Sequence, residues 1–207
     1  MNEIHKNSPQ QSSLEQFDLN THKKGSLFFS KKISTNDLMA WTKDPIQKPL
    51  IKTNDKIVKK EAPDLFKLIQ IYMGDRQAKN TDLKTVCLDI MIKGWSMPVL
   101  RDELFFQLLK QTNLNGNIQS LKNGWELIAI CLSFFPPSQK LYPCFYEYIQ
   151  RYTDESYDRE NFEISKYSHA CMRRLQRIHS TGAKKGLKKP TIDEIELSRV
   201  SYRGLSI

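Results

Sequence analysis

Residues 100–112 read LRDELFFQLLKQT, and residues 124–131 read GWELIAIC shortly before FPPS at residues 135–138. In the first stretch, Leu100, Leu104 and Leu108 recur at i, i+4 and i+8, which predicts a helix with one apolar face. The second stretch is apolar on nearly every side, which is typical of a helix at the centre of a core. Pro136 and Pro137 end it, because proline cannot continue a helix. The sequence therefore predicts two packed helices, of which the second is the most buried helix of the protein.

Helical periodicity continues on both sides of these stretches. It predicts helices that begin at Pro63 and end near Gly74, run over about 82–93 before Gly94, and cover about 141–152, 159–179 and 191–203. No segment alternates apolar and polar residues for long, so strands are not expected. We predict an all-α fold: a single compact multi-helix bundle domain at 31–203, a flexible or extended N-terminal arm at 1–30, and a C-terminal tail at 204–207.

The composition favours a folded domain with two basic ends. The chain has 207 residues, of which 39% are hydrophobic, and a net charge of +9. Residues 1–60 carry a net charge of +5, residues 61–165 carry −3, and residues 166–207 carry +7. A general nucleic-acid binder more often spreads positive charge over the whole fold, and the sequence shows no aromatic stacking platform or recognition motif. We therefore expect no nucleic-acid partner.

The sequence also predicts a cytoplasmic protein. The first twenty residues are polar, and the longest apolar run, at 127–135, is far shorter than the roughly 20 residues of a spanning helix. The four cysteines lie among apolar residues without a Cys-x-x-Cys pair, which predicts reduced core thiols. They are Cys87, Cys131, Cys144 and Cys171. The four histidines are scattered, so we expect no metal site.

The charged triplet Arg101-Asp102-Glu103 is the strongest candidate for chemistry, and its structural interpretation is favoured. Acidic residues suit the positive end of a helix dipole, and a carboxylate is expected to hold Arg101. Trp125 is expected to anchor the core, with its indole N–H bonded to a carbonyl. No Walker loop, dinucleotide fingerprint or Ser–His–Asp arrangement is present. We expect no catalytic residues and no cofactor, and therefore a protein that is not an enzyme.

The stretches at 100–112 and 124–138 together resemble the myosin tail homology 4 (MyTH4) domain in order and spacing. The resemblance covers about residues 30–200. It implies a helical, non-catalytic module of the kind found in unconventional myosin tails, some plant kinesins and a few Rho GTPase-activating proteins. A myosin-type module would be paired with a FERM domain. Glu194-Ile195-Glu196 matches the myosin pattern, whereas Tyr202-Arg203-Gly204 lacks its Gly-Arg pair.

Three further segments resemble the Vilse (CrossGAP) type of Rho GTPase-activating protein. They read LMAWTKDPIQ at 38–47, KKEAPDLFKL at 59–68 and TGAKKGLKKP at 181–190. This resemblance implies that activation of Rac-type or Cdc42-type GTPases would come from a domain absent from this chain. KGSLFF at 24–29 is similar to an arginine-finger loop, but Phe29 stands where the arginine would be and cannot supply its cation.

A basic patch near the C-terminal end is the candidate partner-binding site. Lys166, Arg173 and Arg177 recur at i, i+7 and i+11 and fall within about 40° on a helix, opposite its apolar stripe. The patch continues with Lys184, Lys185, Lys188 and Lys189. It is either a solvated surface or a contact for an acidic partner, and the resemblance makes acidic tubulin tails natural candidates. Anionic lipid head groups satisfy the same electrostatics. The sequence thus predicts a cytoskeleton-associated adaptor module.

Overall fold

The computed structural model describes residues 17–20, 38–157, 163–183 and 189–203. These residues form an all-α fold, as predicted, with seven α-helices and no β-sheet in the described ranges. The helices are α1 (Lys56–Met73), α2 (Leu83–Ser96), α3 (Arg101–Thr112), α4 (Ile118–Cys131), α5 (Tyr142–Arg151), α6 (Ile164–Thr181) and α7 (Ile192–Arg203). Helix α4 packs against α1, α3, α6 and α7. No helix in the described part of the chain is long and apolar enough to cross a bilayer.

Helix α1 begins two turns before the predicted start at Pro63. The Asp55 side chain accepts hydrogen bonds from the backbone N–H groups of Ile57 and Val58, which caps the helix at its observed beginning. Pro63 therefore lies inside the helix. The predicted end is correct, because Gly74 adopts the left-handed conformation that closes a helix. The predicted Thr191–Glu194 capping box is confirmed at the start of α7.

Helix α3, rather than α4, has the larger buried share of its residues. Ten of its twelve residues are buried, against nine of fourteen in α4. The prediction that α4 is the most buried helix was wrong because apolar content alone does not set burial: the polar residues Glu103, Gln107 and Gln111 of α3 are buried as well. Buried polar groups require hydrogen-bond partners, and the extended segment at 38–51 supplies many of them.

The polar stripe of α3 binds the backbone of this 38–51 segment. The carboxylate of Glu103 accepts hydrogen bonds from the N–H groups of Leu50 at 2.8 Å and Ile51 at 3.0 Å. One residue before the helix end, Gln111 both donates to the carbonyl of Thr42 and accepts from its N–H. Further bonds join Lys110 to the carbonyls of Leu38 and Ala40, and Asn113 to the carbonyl of Met39. Tertiary contacts thus hold a segment that has almost no regular structure of its own.

Four residues of the predicted N-terminal arm pack on the helical body. Phe17 is 6% exposed, and its ring meets Phe106 edge-on at 4.9 Å. The N–H of Asn20 donates to the carbonyl of Leu50 at 2.7 Å, next to an isolated antiparallel bridge between residues 19 and 51. Segment 17–20 therefore extends the core beyond the predicted boundary at residue 31. The rest of the arm and the tail at 204–207 lie outside the described residues.

The bounds of two further helices differ from the predicted ones. Gly94, the predicted end of the second helix, lies inside α2, which continues to Ser96. Helix α6 begins at Ile164 and ends at Thr181, whereas residues 159–162 of the predicted helix lie outside the described residues. All four cysteines are buried and none is in a disulfide, as predicted.

Candidate partner-binding surface

Helix α6 has a buried side and a basic side. Ile164, Cys171, Leu175 and Ile178 are buried against the core. Lys166, Arg173 and Arg177 lie on the opposite side, and all three side chains are exposed. At 1.5 Å of rise per residue, this row of three cations, here called the α6 basic face, spans roughly 16 Å along the helix.

The cations of the α6 basic face differ in their ion pairing. Lys166 pairs with Glu163 at 2.8 Å, and both side chains are more than half exposed. Such exposed pairs contribute only about 0–1 kcal/mol, so a partner can compete for the ammonium group. Neither Arg173 nor Arg177 forms an ion pair with the described part of the chain. The two arginines therefore give the face most of its uncompensated positive charge.

The structure describes one of the four lysines of the predicted loop. Lys189 is exposed just before α7, whereas Lys184, Lys185 and Lys188 lie outside the described residues. Four of the seven predicted patch residues are thus at the surface. The three loop lysines remain predictions.

Arg174, which the sequence pattern does not single out, joins three helices beside the α6 basic face. Its guanidinium donates to the carbonyl of Ala129 in α4 at 2.6 Å and to that of Ser198 in α7 at 2.8 Å. Arg174 lies 100° around the helix from Arg173, toward the buried side. That angular position was the available signal that its role is structural.

The side chains of the Arg101-Asp102-Glu103 triplet bind three different parts of the chain. The prediction that a carboxylate holds Arg101 is wrong: its guanidinium donates to the carbonyl of Gly94 at 2.7 Å and lies 5.4 Å from the centre of the Phe135 ring. Asp102 accepts from both the N–H and the hydroxyl of Ser138. With Glu103 bound to residues 50 and 51, each member of the triplet fixes a different piece of backbone.

Trp125 is the predicted core anchor, but its N–H is not hydrogen-bonded. The side chain is fully buried and stacks on Tyr148 with ring centres 5.8 Å apart. Its indole nitrogen has no hydrogen-bond partner in the described part of the chain. Packing alone therefore accounts for its place in the core, and a role in stacking a ligand has no exposed ring surface to support it.

A second cluster that the sequence did not reveal fixes α7 to the body. Arg199 donates to the hydroxyl of Tyr72 at 2.7 Å, and that hydroxyl donates to Glu126 at 3.0 Å. Arg199 also lies 3.4 Å from Glu126. Burial raises the pKa of the Tyr72 hydroxyl, so it remains a proton donor to the carboxylate. The cluster connects α1, α4 and α7.

Tyr72→Phe is expected to lower the free energy of unfolding by about 1–2 kcal/mol, because it removes the hydroxyl between a guanidinium and a carboxylate. Urea denaturation followed by circular dichroism measures the loss. Tyr142→Phe is the control, since the Tyr142 hydroxyl has no hydrogen bond in the described part of the chain. Equal stabilities of the two variants would contradict the role of the cluster.

The described residues offer no cluster of side chains for metal binding. They contain no group of three or more His, Cys, Asp or Glu side chains that could hold a metal ion. Burial raises the pKa of the Cys87 and Cys171 thiols to about 12, so neither thiol is a nucleophile at neutral pH.

Comparison with known proteins identifies the module. The MyTH4 domain model matches residues 87–197. The high molecular weight form of myosin-1 from Acanthamoeba castellanii is 36% identical over 107 residues, which are 52% of this chain and 7% of that protein. Kinesin-like protein KIN-14E from Arabidopsis thaliana is 37% identical over 141 residues, 61% of this chain and 11% of that protein. The chain thus spans a small part of the relatives it matches.

Solved structures agree with this match. The Dictyostelium discoideum myosin VII MyTH4-FERM MF2 domain superposes with a TM-score of 0.73 and 26% identity, covering 95% of this chain and 38% of that one. The human myosin 7b C-terminal MyTH4-FERM domain, solved in complex with the harmonin-a PDZ3 domain, superposes with a TM-score of 0.70 and 25% identity. The match covers 97% of this chain and 38% of that one. These relatives are motor proteins, and they lend no support to the Vilse-type context. The family model covers more than half of the chain, and the chain belongs to the MyTH4 domain family.

Proposed function

We propose that this chain is a non-catalytic, cytoskeleton-associated adaptor module that binds an acidic partner, foremost the acidic tails of microtubules, through the α6 basic face. The observation that carries the proposal is the exposure of Lys166, Arg173 and Arg177 on one side of a well-packed helix. A rigid helix holds these charges in fixed positions, which favours contact with a repeating acidic surface. The lysines at 184, 185, 188 and 189 would extend the same contact.

The family supports the cytoskeletal setting. Its members among the relatives include myosins and a kinesin-like protein, which are motors of the two filament systems. We infer that the module works in the tail of such a motor, in the cytoplasm, and that a FERM domain is its neighbour, as in the superposed structures. A Rho GTPase-activating setting is the competing context. Reading the coding sequence beyond residue 207 tests the two contexts: a FERM domain there would support the motor context, and a GTPase-activating domain would support the competing one.

Arg173→Glu combined with Arg177→Glu is expected to reduce the fraction of protein that co-sediments with microtubules at least about fivefold at low salt, because four units of charge change on one face. Binding by the unaltered chain should also weaken as salt rises from 50 to 200 mM. Replacing Lys184, Lys185, Lys188 and Lys189 with glutamate should act in the same direction.

Lys56→Glu combined with Lys59→Glu is the matched control. These two exposed lysines of α1 undergo the same change of charge on a different helix. An equal loss in the control would show that net charge alone matters, and absence of binding by the unaltered chain would overturn the proposal. Anionic vesicles in a parallel sedimentation test whether lipid is the preferred partner, which would likewise reject the assignment to microtubules.

A further inference from the structure

A groove beside the α6 basic face has the features of a second binding site. Helix α6 contributes Arg174, Arg177 and Ile178, and α7 contributes Glu194, Leu197 and Ser198, each set at the i, i+3, i+4 spacing of one helix face. Leu132, just after α4, also lines it. The groove has a volume of about 520 Å³, within the range of ligand-binding clefts. We refer to it as the α6–α7 groove.

The α6–α7 groove combines apolar lining residues with an exposed arginine, whereas the Glu194 carboxylate in its lining accepts a hydrogen bond from the N–H of Thr191. Leu132 and Ile178 are buried beneath it, whereas Leu197 is 67% exposed on its wall. Arg177 on the opposite wall is exposed and forms no ion pair with the described part of the chain. A large exposed leucine facing an uncompensated guanidinium matches a ligand that carries an apolar group next to a negative charge.

The walls of the groove are held in place before any ligand binds. Arg174 lies at the base, where its guanidinium bridges the carbonyls of Ala129 and Ser198 and so ties α4 and α7 to α6. The Arg199 cluster fixes α7 a second time on α1 and α4. A preformed groove loses little conformational entropy on binding, which favours affinity.

We infer that the α6–α7 groove binds a peptide segment of a protein partner that places one large apolar side chain beside an acidic side chain. The apolar side chain enters between Leu197 and Ile178, and the carboxylate pairs with Arg177. This inference goes beyond the proposed microtubule contact, which requires only negative charge. It also predicts that the affinity for a peptide depends on the peptide's sequence, because the apolar side chain supplies most of the binding free energy.

Two labelled peptides test the inference with the full 207-residue chain. Both are twelve-residue alternations of glutamate and serine, one with a central Leu-Phe pair and the other with Ser-Ser in its place. Fluorescence anisotropy is expected to show at least tenfold tighter binding of the Leu-Phe peptide, because only that peptide removes a large apolar side chain from water when it binds. Equal affinities of the two peptides, or no binding of either, would overturn the inference.

Substitutions in the chain then locate the peptide. Leu197→Ser should abolish the tenfold preference, and Arg177→Glu should weaken the Leu-Phe peptide more than Arg173→Glu does. The latter is the matched control, because Arg173 undergoes the same charge change one turn away and does not line the groove. A preference that survives Leu197→Ser would reject this site. A dimer that dissociates on this substitution, seen by analytical ultracentrifugation, would assign the groove to a second copy and reject the peptide.

The two binding proposals fail in distinguishable ways. Leu197→Ser leaves the charge of the α6 basic face unchanged, so its co-sedimentation with microtubules should equal that of the unaltered chain. Conversely, Arg173→Glu should reduce microtubule binding while the preference for the Leu-Phe peptide persists. Loss of both activities in Leu197→Ser at unchanged helicity would contradict the separate groove.

Discussion

Glu103→Ala is expected to lower the free energy of unfolding by about 3–5 kcal/mol, because it leaves two backbone N–H groups without their acceptor inside the protein. The carboxylate bonds to Leu50 and Ile51 across more than fifty residues of chain, and Leu50 is fully buried. Gln107 loses an acceptor at the same time. The alanine variant should therefore release the 38–51 segment as well as destabilise the domain.

Denaturation in urea measures the loss in the free energy of unfolding. Hydrogen exchange at the amides of Leu50 and Ile51 measures whether the 38–51 segment is released. The free energy of unfolding of Glu103→Gln should lie between those of Glu103→Ala and the unaltered chain, since the glutamine amide oxygen can still accept one hydrogen bond. Glu147→Ala is the control: this glutamate of α5 is exposed and has no ion pair in the described part of the chain. A change within about 0.5 kcal/mol for Glu103→Ala, as expected for a surface site, would refute the structural role.

Gly94→Ala is expected to destabilise the protein by about 2–3 kcal/mol, although alanine is the better helix former by about 1 kcal/mol. A methyl group on Gly94 would lie 2.2 Å from Cζ of Phe135, too close for any real contact. The ring has little room to move, because Phe135 is fully buried between Phe105 and the guanidinium of Arg101. Overpacking therefore outweighs the gain in helix propensity.

Thermal denaturation of three variants tests this explanation. Gly116→Ala is the matched control, since nothing lies within 4 Å of the added methyl group. Gly94→Ala combined with Phe135→Leu should recover part of the loss, because the smaller side chain leaves space for the methyl group. A Gly94→Ala variant as stable as the unaltered chain would contradict the tight packing of the Phe135 ring against Gly94.

The features that were predictable from the sequence depend on neighbours along the chain. The apolar spacing in 100–112, the capping box at Thr191 and Glu194, and the basic row on α6 each arise within a few turns of one helix. Local rules of periodicity and capping describe such features well. The family resemblance rested on two such stretches, and the domain model matches a range that contains both.

The features that were not predictable depend on residues brought together from distant parts of the chain. From the sequence, Glu103 is expected to be an acidic residue at the start of a helix. Only the structure shows that it is buried and binds the backbone N–H groups of residues 50 and 51. Arg199 and Tyr72 are 127 residues apart. The α6–α7 groove likewise requires three helices to converge, although each of its residues looks ordinary in sequence.

By itself, the amino-acid sequence determined the all-α class, the positions of most helices and the row of cations on α6, because these follow from the repeat of a single helix. The tertiary structure decided which polar residues are buried, which arginines bind backbone carbonyls and which are exposed to a partner. The physical reason is the cost of burying a polar group: such a group is tolerated only where a distant part of the chain supplies its hydrogen-bond partner. That same condition separates Arg174, which joins helices, from its neighbour Arg173, which remains exposed at the surface.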